Sequence, residues 1–523
     1  MSVDALFERC RQSGIALADA LDRDSLTPAA CMKVAPESWK SVALLAHEMG
    51  FRWSAFWAQQ ISTDVLEALC CLEIEGNYLI VRAVVPHGMQ LPSHAGVYAA
   101  ADRPERHAHD LLGLQFAVAP DERRWTRHLA WGADEFPLRD DFEAHAPGEL
   151  TPPDDQYPFI AARGAGVVEI PVGPVHAGII EPGHFRFQAL GETVLNLEQH
   201  LGYVHKGIEK LAVGRDTAGL ARLAGRVSGD TTVAHTWAAC QAIERIAETD
   251  IPPRGAYLRA VMCERERVAN HMGDIGAICN DVAYAFAQVQ LTRLKEAFVR
   301  ENERVFGHRF MMDRIVPGGV TVAPNDEALS QMAFNARALA HEFSQIIDRI
   351  EASESLEDRL MTSGRLTPEQ AATLGCVGYL GKASGMGFDV RRAVPYPPYD
   401  QFKPTVTVYR AGDVAARARV RADEAIHSLL QIAEMIEALP GGEVFVPVSV
   451  LHAGEGVGFV EAWRGEIVTY VRLADDGTVL RFFPRDPSWL MWPALELLQQ
   501  GNIVPDFPVC NKSVNGSYSG HDL

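Results

Sequence analysis

Five long stretches of helical periodicity, at 230–248, 253–281, 285–306, 325–354 and 416–437, constrain this chain more than any other feature. A shorter one at 217–223 precedes them. Helices of that length are stabilised mainly by covering one another's apolar faces, so the middle of the chain is expected to form a helical bundle. The flanking segments behave differently. Residues 66–86, LEALCCLEIEGNYLIVRAVVP, alternate as a hairpin turning at Glu75-Gly76-Asn77. Strand-like alternation returns at 442–482, with GEGVG (454–458) read as a turn between strands.

The expected architecture is therefore α+β: a mixed N-terminal domain over 1–150, then a mostly helical domain with a small β-rich part over 160–523. Residues 1–35 read as one or two short helices, and ADRPERHAHDLLGL as a charged helix ending at Gly113. The Pro-, Asp- and Arg-rich stretch from Ala117 to about Pro158 reads as an extended linker. Near 164–210 the pattern is strand, loop, strand, then a helix carrying Leu197, Leu201, Val204 and Ile208. A helix at about 487–500 precedes a terminal loop, FPVCNKSVNGSYSGHDL.

Lys and Arg number 48 against 68 Asp and Glu, a net charge of −20, which argues against a nucleic-acid partner. No run reaches about 18 apolar residues, so no transmembrane helix is expected. The acidic N-terminal stretch lacks the apolar core of a secretory signal. None of the nine cysteines forms a CxxC pair, which suits buried, reduced thiols.

Two sets of motifs carry a resemblance. Pro104-Glu105-Arg106-His107-Ala108-His109-Asp110-Leu111-Leu112-Gly113, followed by Glu135-Phe136-Pro137-Leu138-Arg139-Asp140-Asp141-Phe142, resembles the 30-kDa (C-type) subunit of complex I. The His107, His109, Asp110 trio does not share one helix face, so a surface or docking role is expected there rather than a metal. Gly173-Pro174-Val175-His176, Glu181-Pro182-Gly183-His184 and Lys206-Gly207-Ile208-Glu209 resemble the 49-kDa (D-type) subunit and group-4 membrane-bound nickel–iron hydrogenases. The likeness continues through Arg226-Val227-Ser228-Gly229, Glu264…Arg267…His271 and Glu461-Ala462-Trp463-Arg464-Gly465-Glu466 to the C-terminus.

Such hydrogenases hold their metals through two pairs of cysteines, because soft thiolates bind and bridge nickel and iron. The matching positions here are Ser228 and Thr231, then Ser517 and Gly520. Neutral hydroxyls and a glycine cannot replace four thiolates, so no metal is expected. In complex I the emptied cavity takes quinone, held by a Tyr and a His. The Tyr position corresponds to Gly229, and the His position to Ile180, or to His184 if the loop is shifted. Asp281 falls ten residues after His271, where complex I has the Asp that pairs with its quinone histidine.

The resemblance thus implies a catalytic set of His176, Asp281, Glu209 and Arg464, with His184, Gly229 and Asp230 around a quinone cavity. Glu209 either starts a proton path or pairs with Lys206 or Lys210. Asp230 is a new acid that stands ready as a proton carrier. The competing reading is a polar network that satisfies itself where a metal once sat. No cofactor is expected on this chain, since it has no strand–GxGxxG–helix or P-loop context; an iron–sulfur cluster would belong to a partner. The implied partners are a small iron–sulfur (B-type) subunit, a ferredoxin-like subunit and membrane H-type and antiporter-like subunits, with formate dehydrogenase as a candidate donor. The implied location is the cytoplasmic face of the inner membrane. A catalytically silent scaffold is the alternative.

Overall fold

A computed structural model describes all residues except 1, 18–19, 128–131, 133, 144–156, 177–179 and 449–451. The N-terminal sheet has strands β1 (Ala30–Lys33), β2 (Arg52–Ser62), β3 (Val65–Ile74) and β4 (Asn77–Pro86), in the order β1-β4-β3-β2. The β3–β4 turn is at Glu75 and Gly76, both at positive φ, as the hairpin signal predicts. Both faces of this sheet are buried, which explains its near-continuous apolar runs. Cys70 points to a core with Trp39, Phe56 and Val81. Its neighbour Cys71 faces the opposite way, with Trp57, Leu69 and Tyr78. Helix α1 (Asp102–Leu112) ends at the left-handed Gly113.

A second sheet follows, of β5 (Val167–Val172), β6 (His184–Leu190) and β7 (Thr193–His200). The expected helix across Leu197–Ile208 is instead the strand β7 followed by a turn, and Ile208 only opens a short helix to Ala212. Leucines four apart satisfy a strand as well as a helix, and pairing with β6 from His184↔His200 to Leu190↔Thr193 decides between them.

The bundle holds α2 (Thr232–Ile246), α3 (Pro253–Asp281), α4 (Ala285–Phe306), α5 (Asp326–Glu351) and α6 (Val414–Glu437). Each expected helix is present within a few residues. Helix α3 is buried almost all round despite its charges. Those charges are paired internally: Arg259 with Glu244 at 2.6 Å, Arg265 with Glu301 at 2.8 Å, Arg267 with Glu264 at 3.0 Å and His271 with Glu424 at 2.8 Å.

A further three-stranded sheet is β8 (Gly454–Ala462), β9 (Gly465–Leu473) and β10 (Val479–Arg485). GEGVG is therefore part of a strand rather than a turn. Its glycines let β8 lie against α2: a Cβ at Gly458 would come within 1.9 Å of the Ala238 carbonyl oxygen, and one at Gly456 within 2.3 Å of that of Ala242. Residues 443–448 make only a single bridge, Phe445 to Gly319, where a strand is expected; 449–451 lie outside the described residues. Helices α7 (Ser488–Leu498), α8 (Phe507–Val514) and α9 (Tyr518–Asp522) complete the chain, so the expected terminal loop is mostly helical.

The β1–β4 and β8–β10 sheets are joined through Glu466, which is fully buried and accepts from Arg52, Ser54, Tyr78 and Arg485. The expected linker is also partly interior. Trp125, Thr126 and Arg127 are buried, and their backbone N–H groups donate to Asp110 at 2.7, 2.9 and 3.2 Å. Within that stretch 128–131, 133 and 144–156 lie outside the described residues. His107 and Asp110 are likewise interior, not surface docking groups, and His109 is half-buried with Nδ1 3.2 Å from the Leu114 carbonyl oxygen. Among the described residues no helix is long and apolar enough to cross a membrane.

Candidate functional site

Three segments converge, together with Ile180 and Glu181, at one cavity of about 320 Å³. The first is the 228–231 turn that leads into α2. The second is the β8–β9 turn carrying Trp463 and Arg464. The third is the segment from Asn511 to Ser519, which spans the α8–α9 junction. Asn515 adopts a left-handed conformation (φ 44°) that ends α8 and turns the chain back toward the first segment.

The four positions matched to metal-binding cysteines meet here. Ser228 Oγ lies 2.8 Å from Ser517 Oγ, across 289 residues of sequence. The Ser228 and Thr231 hydroxyls donate to Asp230 Oδ1 at 2.7 and 2.8 Å. Ser517 caps α9 by accepting from the Gly520 N–H at 2.8 Å. A side chain at Gly520 has no room, because its Cβ would stand 2.7 Å from the Asp486 carboxyl carbon. Asp486 is held there by His235 Nε2 at 2.9 Å and by the Ser488 N–H at 2.8 Å. Two hydroxyls already bonded to each other, a threonine bonded to an acid and a filled glycine do not make a nickel–iron site. Among the described residues no group of three or more His, Cys, Asp or Glu side chains is arranged to hold a metal.

Arg464 organises the site. Its two terminal nitrogens meet the two Asp230 oxygens at 2.7 Å each, and Nε donates to the Asn515 carbonyl oxygen at 2.7 Å. The guanidinium lies 3.9 Å over the Trp463 ring, whose indole N–H reaches Thr231 Oγ1 at 3.0 Å. One side chain thus ties both loops together. Burial alone would raise the Asp230 carboxyl; Arg464 and the two hydroxyls outweigh it and hold it below the usual range. Some 39% of the Asp230 side chain is still exposed, and the residue lines the cavity.

The other expected residues are placed less uniformly. Gly229 lines the cavity, with open space where a side chain would project. Ile180 lines it and His184 does not. His184 sits in β6 with Nδ1 3.3 Å from the Gly173 carbonyl oxygen, so the unshifted match of that loop is the one that reaches the cavity. His176 is half-buried in the loop after β5, 5.6 Å from the Phe185 ring, and is not part of the lining. Asp281 is exposed at the end of α3 and is not part of the lining either. Partial desolvation raises its carboxyl, and Lys512 opposes that. Glu209 pairs with neither Lys206 nor Lys210: it is 2% exposed and bonds Arg481 at 2.8 Å and His107 at 3.1 Å. Burial would raise its pKa, but Arg481 and His107 bring it down to about 2.

Sequence reasoning missed Lys512 and Tyr518 in the cavity wall, and the Asp486–His235 pair behind it. Tyr518 lies between two positions of the recognised terminal motif and was within reach. Lys512 and Asp486 have no local signal.

The profile described as respiratory-chain NADH dehydrogenase, 30 Kd subunit, matches residues 32–147, and that of the 49 Kd subunit matches 275–451. Formate hydrogenlyase subunit 5 of Escherichia coli is 29% identical over 83% of this chain and 77% of its own length. Carbon monoxide-induced hydrogenase of Rhodospirillum rubrum is 30% identical over 66% of this chain and 96% of its own. The C/D subunit of NADH-quinone oxidoreductase from Bacteroides fragilis is 28% identical over 80% and 82%. A chain from the structure of the membrane-bound sulfane sulfur reductase, an archaeal respiratory membrane complex, shares the fold, with a TM-score of 0.65 at 24% identity over 68% of this chain and 99% of that one.

Proposed function

The chain belongs to the family that joins the 30-kDa and 49-kDa subunits of complex I to the large subunits of membrane-bound hydrogenases, and on that premise we propose that it serves a complex-I-like membrane oxidoreductase as the subunit where the acceptor is reduced. A neighbouring iron–sulfur subunit delivers electrons to a quinone-like acceptor in the cavity between the 228–231 turn and the C-terminal segment. The observation that carries this reading is convergence without closure. The former ligand positions still meet, yet about 320 Å³ beside them stays open and lined by hydrogen-bonding groups. In this reading the chain sits peripherally on the cytoplasmic face of the inner membrane. It docks a B-type and a ferredoxin-like subunit, and membrane H-type and antiporter-like subunits that couple electron flow to proton translocation. Formate dehydrogenase is the candidate donor.

Gly229→Trp tests this, because a side chain there projects into open space. In the purified complex, donor-dependent quinone reduction should fall at least about tenfold while every subunit is retained. Unaltered turnover would refute an acceptor in this cavity. A scaffold reading has one observation of its own: Arg464, Asp230, Ser228 and Ser517 already satisfy one another. A complex that passes no electrons to any quinone, yet falls apart without this chain, would establish that reading instead.

A further inference from the structure

The cavity's donors divide into those already committed and those still free. Arg464 gives its N–H groups to Asp230, Thr231 and the Asn515 carbonyl. Ser228 gives its proton to Asp230. Lys206, behind the wall, is bonded to the Val227 carbonyl oxygen at 3.0 Å and to Ser519 Oγ at 2.6 Å. Two lining groups stand apart from these. Lys512, in the last turn of α8, makes no hydrogen bond or ion pair among the described residues, and its electrostatic neighbour is Asp281. Tyr518 is 6% exposed; its hydroxyl accepts a long 3.5 Å bond from Asn511 and gives its own proton to no acceptor among the described residues. An ammonium has three donors and a phenol one, and a buried donor left without an acceptor costs free energy. Acceptor oxygens entering the cavity would relieve that cost at the buried Tyr518 and would give the half-buried Lys512 a partner.

We propose that Lys512 and Tyr518 hold and protonate the two oxygens of the acceptor, a para-quinone head group. This rests on the cavity being the acceptor site, and it names residues outside the set that the resemblance implies. Two electrons arrive singly from an iron–sulfur donor in a neighbouring subunit. The Tyr518 O–H bond and one Lys512 N–H bond break, and two O–H bonds form on the ring oxygens, giving the hydroquinone. The phenolate and the amine regain their protons from water at the cavity mouth. Arg464 is a positioning residue in this scheme: its hydrogen bonds are spent on keeping the two loops together.

The test is binding of 2,3-dimethoxy-5-methyl-1,4-benzoquinone, which has no isoprenoid tail, to the full chain. It is followed by quenching of tryptophan fluorescence, since Trp492 lies 4.6 Å from the Tyr518 ring. Lys512→Met should weaken binding roughly 10- to 100-fold, the range for a lost hydrogen bond to a charged group. Lys512→Arg should restore most of it, which a merely structural lysine would not require. Tyr518→Phe should weaken binding roughly 3- to 10-fold, at unchanged circular dichroism. If both variants bind like the wild type while Gly229→Trp abolishes binding, the proposal is overturned and the cavity stands as the acceptor site. If the wild type does not bind, or Gly229→Trp binds equally well, the acceptor reading fails and the proposal goes with it.

Discussion

Replacing Asp230 by Ala removes the anion that holds Arg464, and the consequence is calculable. Arg464 is 2% exposed and would keep hydrogen bonds only to Asn515 and Thr231, both neutral, beside the Trp463 ring and the more distant Asp486 charge. Removing one member of a buried pair typically costs 3–5 kcal/mol, because the remaining charge is left desolvated. With 39% of the Asp230 side chain exposed, water already screens the pair, so the lower end applies, about 3 kcal/mol. An unfolding entropy of about 2.1 cal/mol/K per residue over 523 residues comes to about 1.1 kcal/mol/K. The Tm should therefore fall by about 3 °C if the chain unfolds as one unit, as read by near-ultraviolet circular dichroism. The decisive comparison is the double variant Asp230→Ala/Arg464→Met. Removing both charges removes the stranded cation, so the double variant should be more stable than the sum of the single losses by at least about 1 kcal/mol. Strict additivity would refute the view that this pair links the two loops.

Three further outcomes follow from buried groups elsewhere. Burial raises Glu105 to about 8 despite bonds from Ser93 Oγ and the His94 N–H, so the folded state binds the extra proton between the unfolded value of 4.5 and about 8. Stability should then fall with rising pH across that window by roughly 5 kcal/mol, and Glu105→Gln should flatten this slope in urea titrations at pH 5 and 8.5. Gly458→Ala places a methyl 1.9 Å from the Ala238 carbonyl oxygen, backbone against backbone, and should cost at least about 2 kcal/mol in denaturant unfolding. Restoring four thiols with Ser228→Cys, Thr231→Cys, Ser517→Cys and Gly520→Cys should not yield stoichiometric nickel by metal analysis, because the fourth side chain meets Asp486 at 2.7 Å; one nickel per chain would contradict that steric argument.

What the sequence disclosed, and what it hid, follows from the range of the interactions involved. The bundle helices were legible because their apolar periodicity is local. So was the hairpin at Glu75-Gly76. The pairing of β6 with β7 was not, since Leu197 and Leu201 fit either period until a partner strand is present. The terminal segment read as a loop because α9 is five residues long and draws its stability from the loops it packs against, not from its own propensity. At the site, ordered motifs located Ser228, Thr231, Ser517 and Gly229 correctly as neighbours. They could not reveal that Asp230 and Arg464 would meet, because that contact spans 234 residues. Nor could they reveal that Asp486 fills the space beside Gly520, or that Glu209 would choose Arg481 over two nearer lysines. The charges of α3 mislead in the same way: read alone they suggest a solvated face, yet their partners on α2, α4 and α6 bury them.

The loops that carry Ser228, Thr231, Ser517 and Gly520, the positions matched to metal-binding cysteines, are joined by the protein's own side chains. In this chain the joining is done by organic groups: Ser228 to Ser517 directly, Arg464 to both loops at once, and Lys206 from the Val227 carbonyl to Ser519. These bonds tie the walls together and occupy the donors of Arg464, Ser228 and Lys206, which is why Arg464 is poorly suited to bind a substrate. A pair retained only to fill space would be expected to leave no volume beside it. The open space next to Gly229, with Lys512 and Tyr518 uncommitted on its wall, is the feature on which the proposed acceptor site rests.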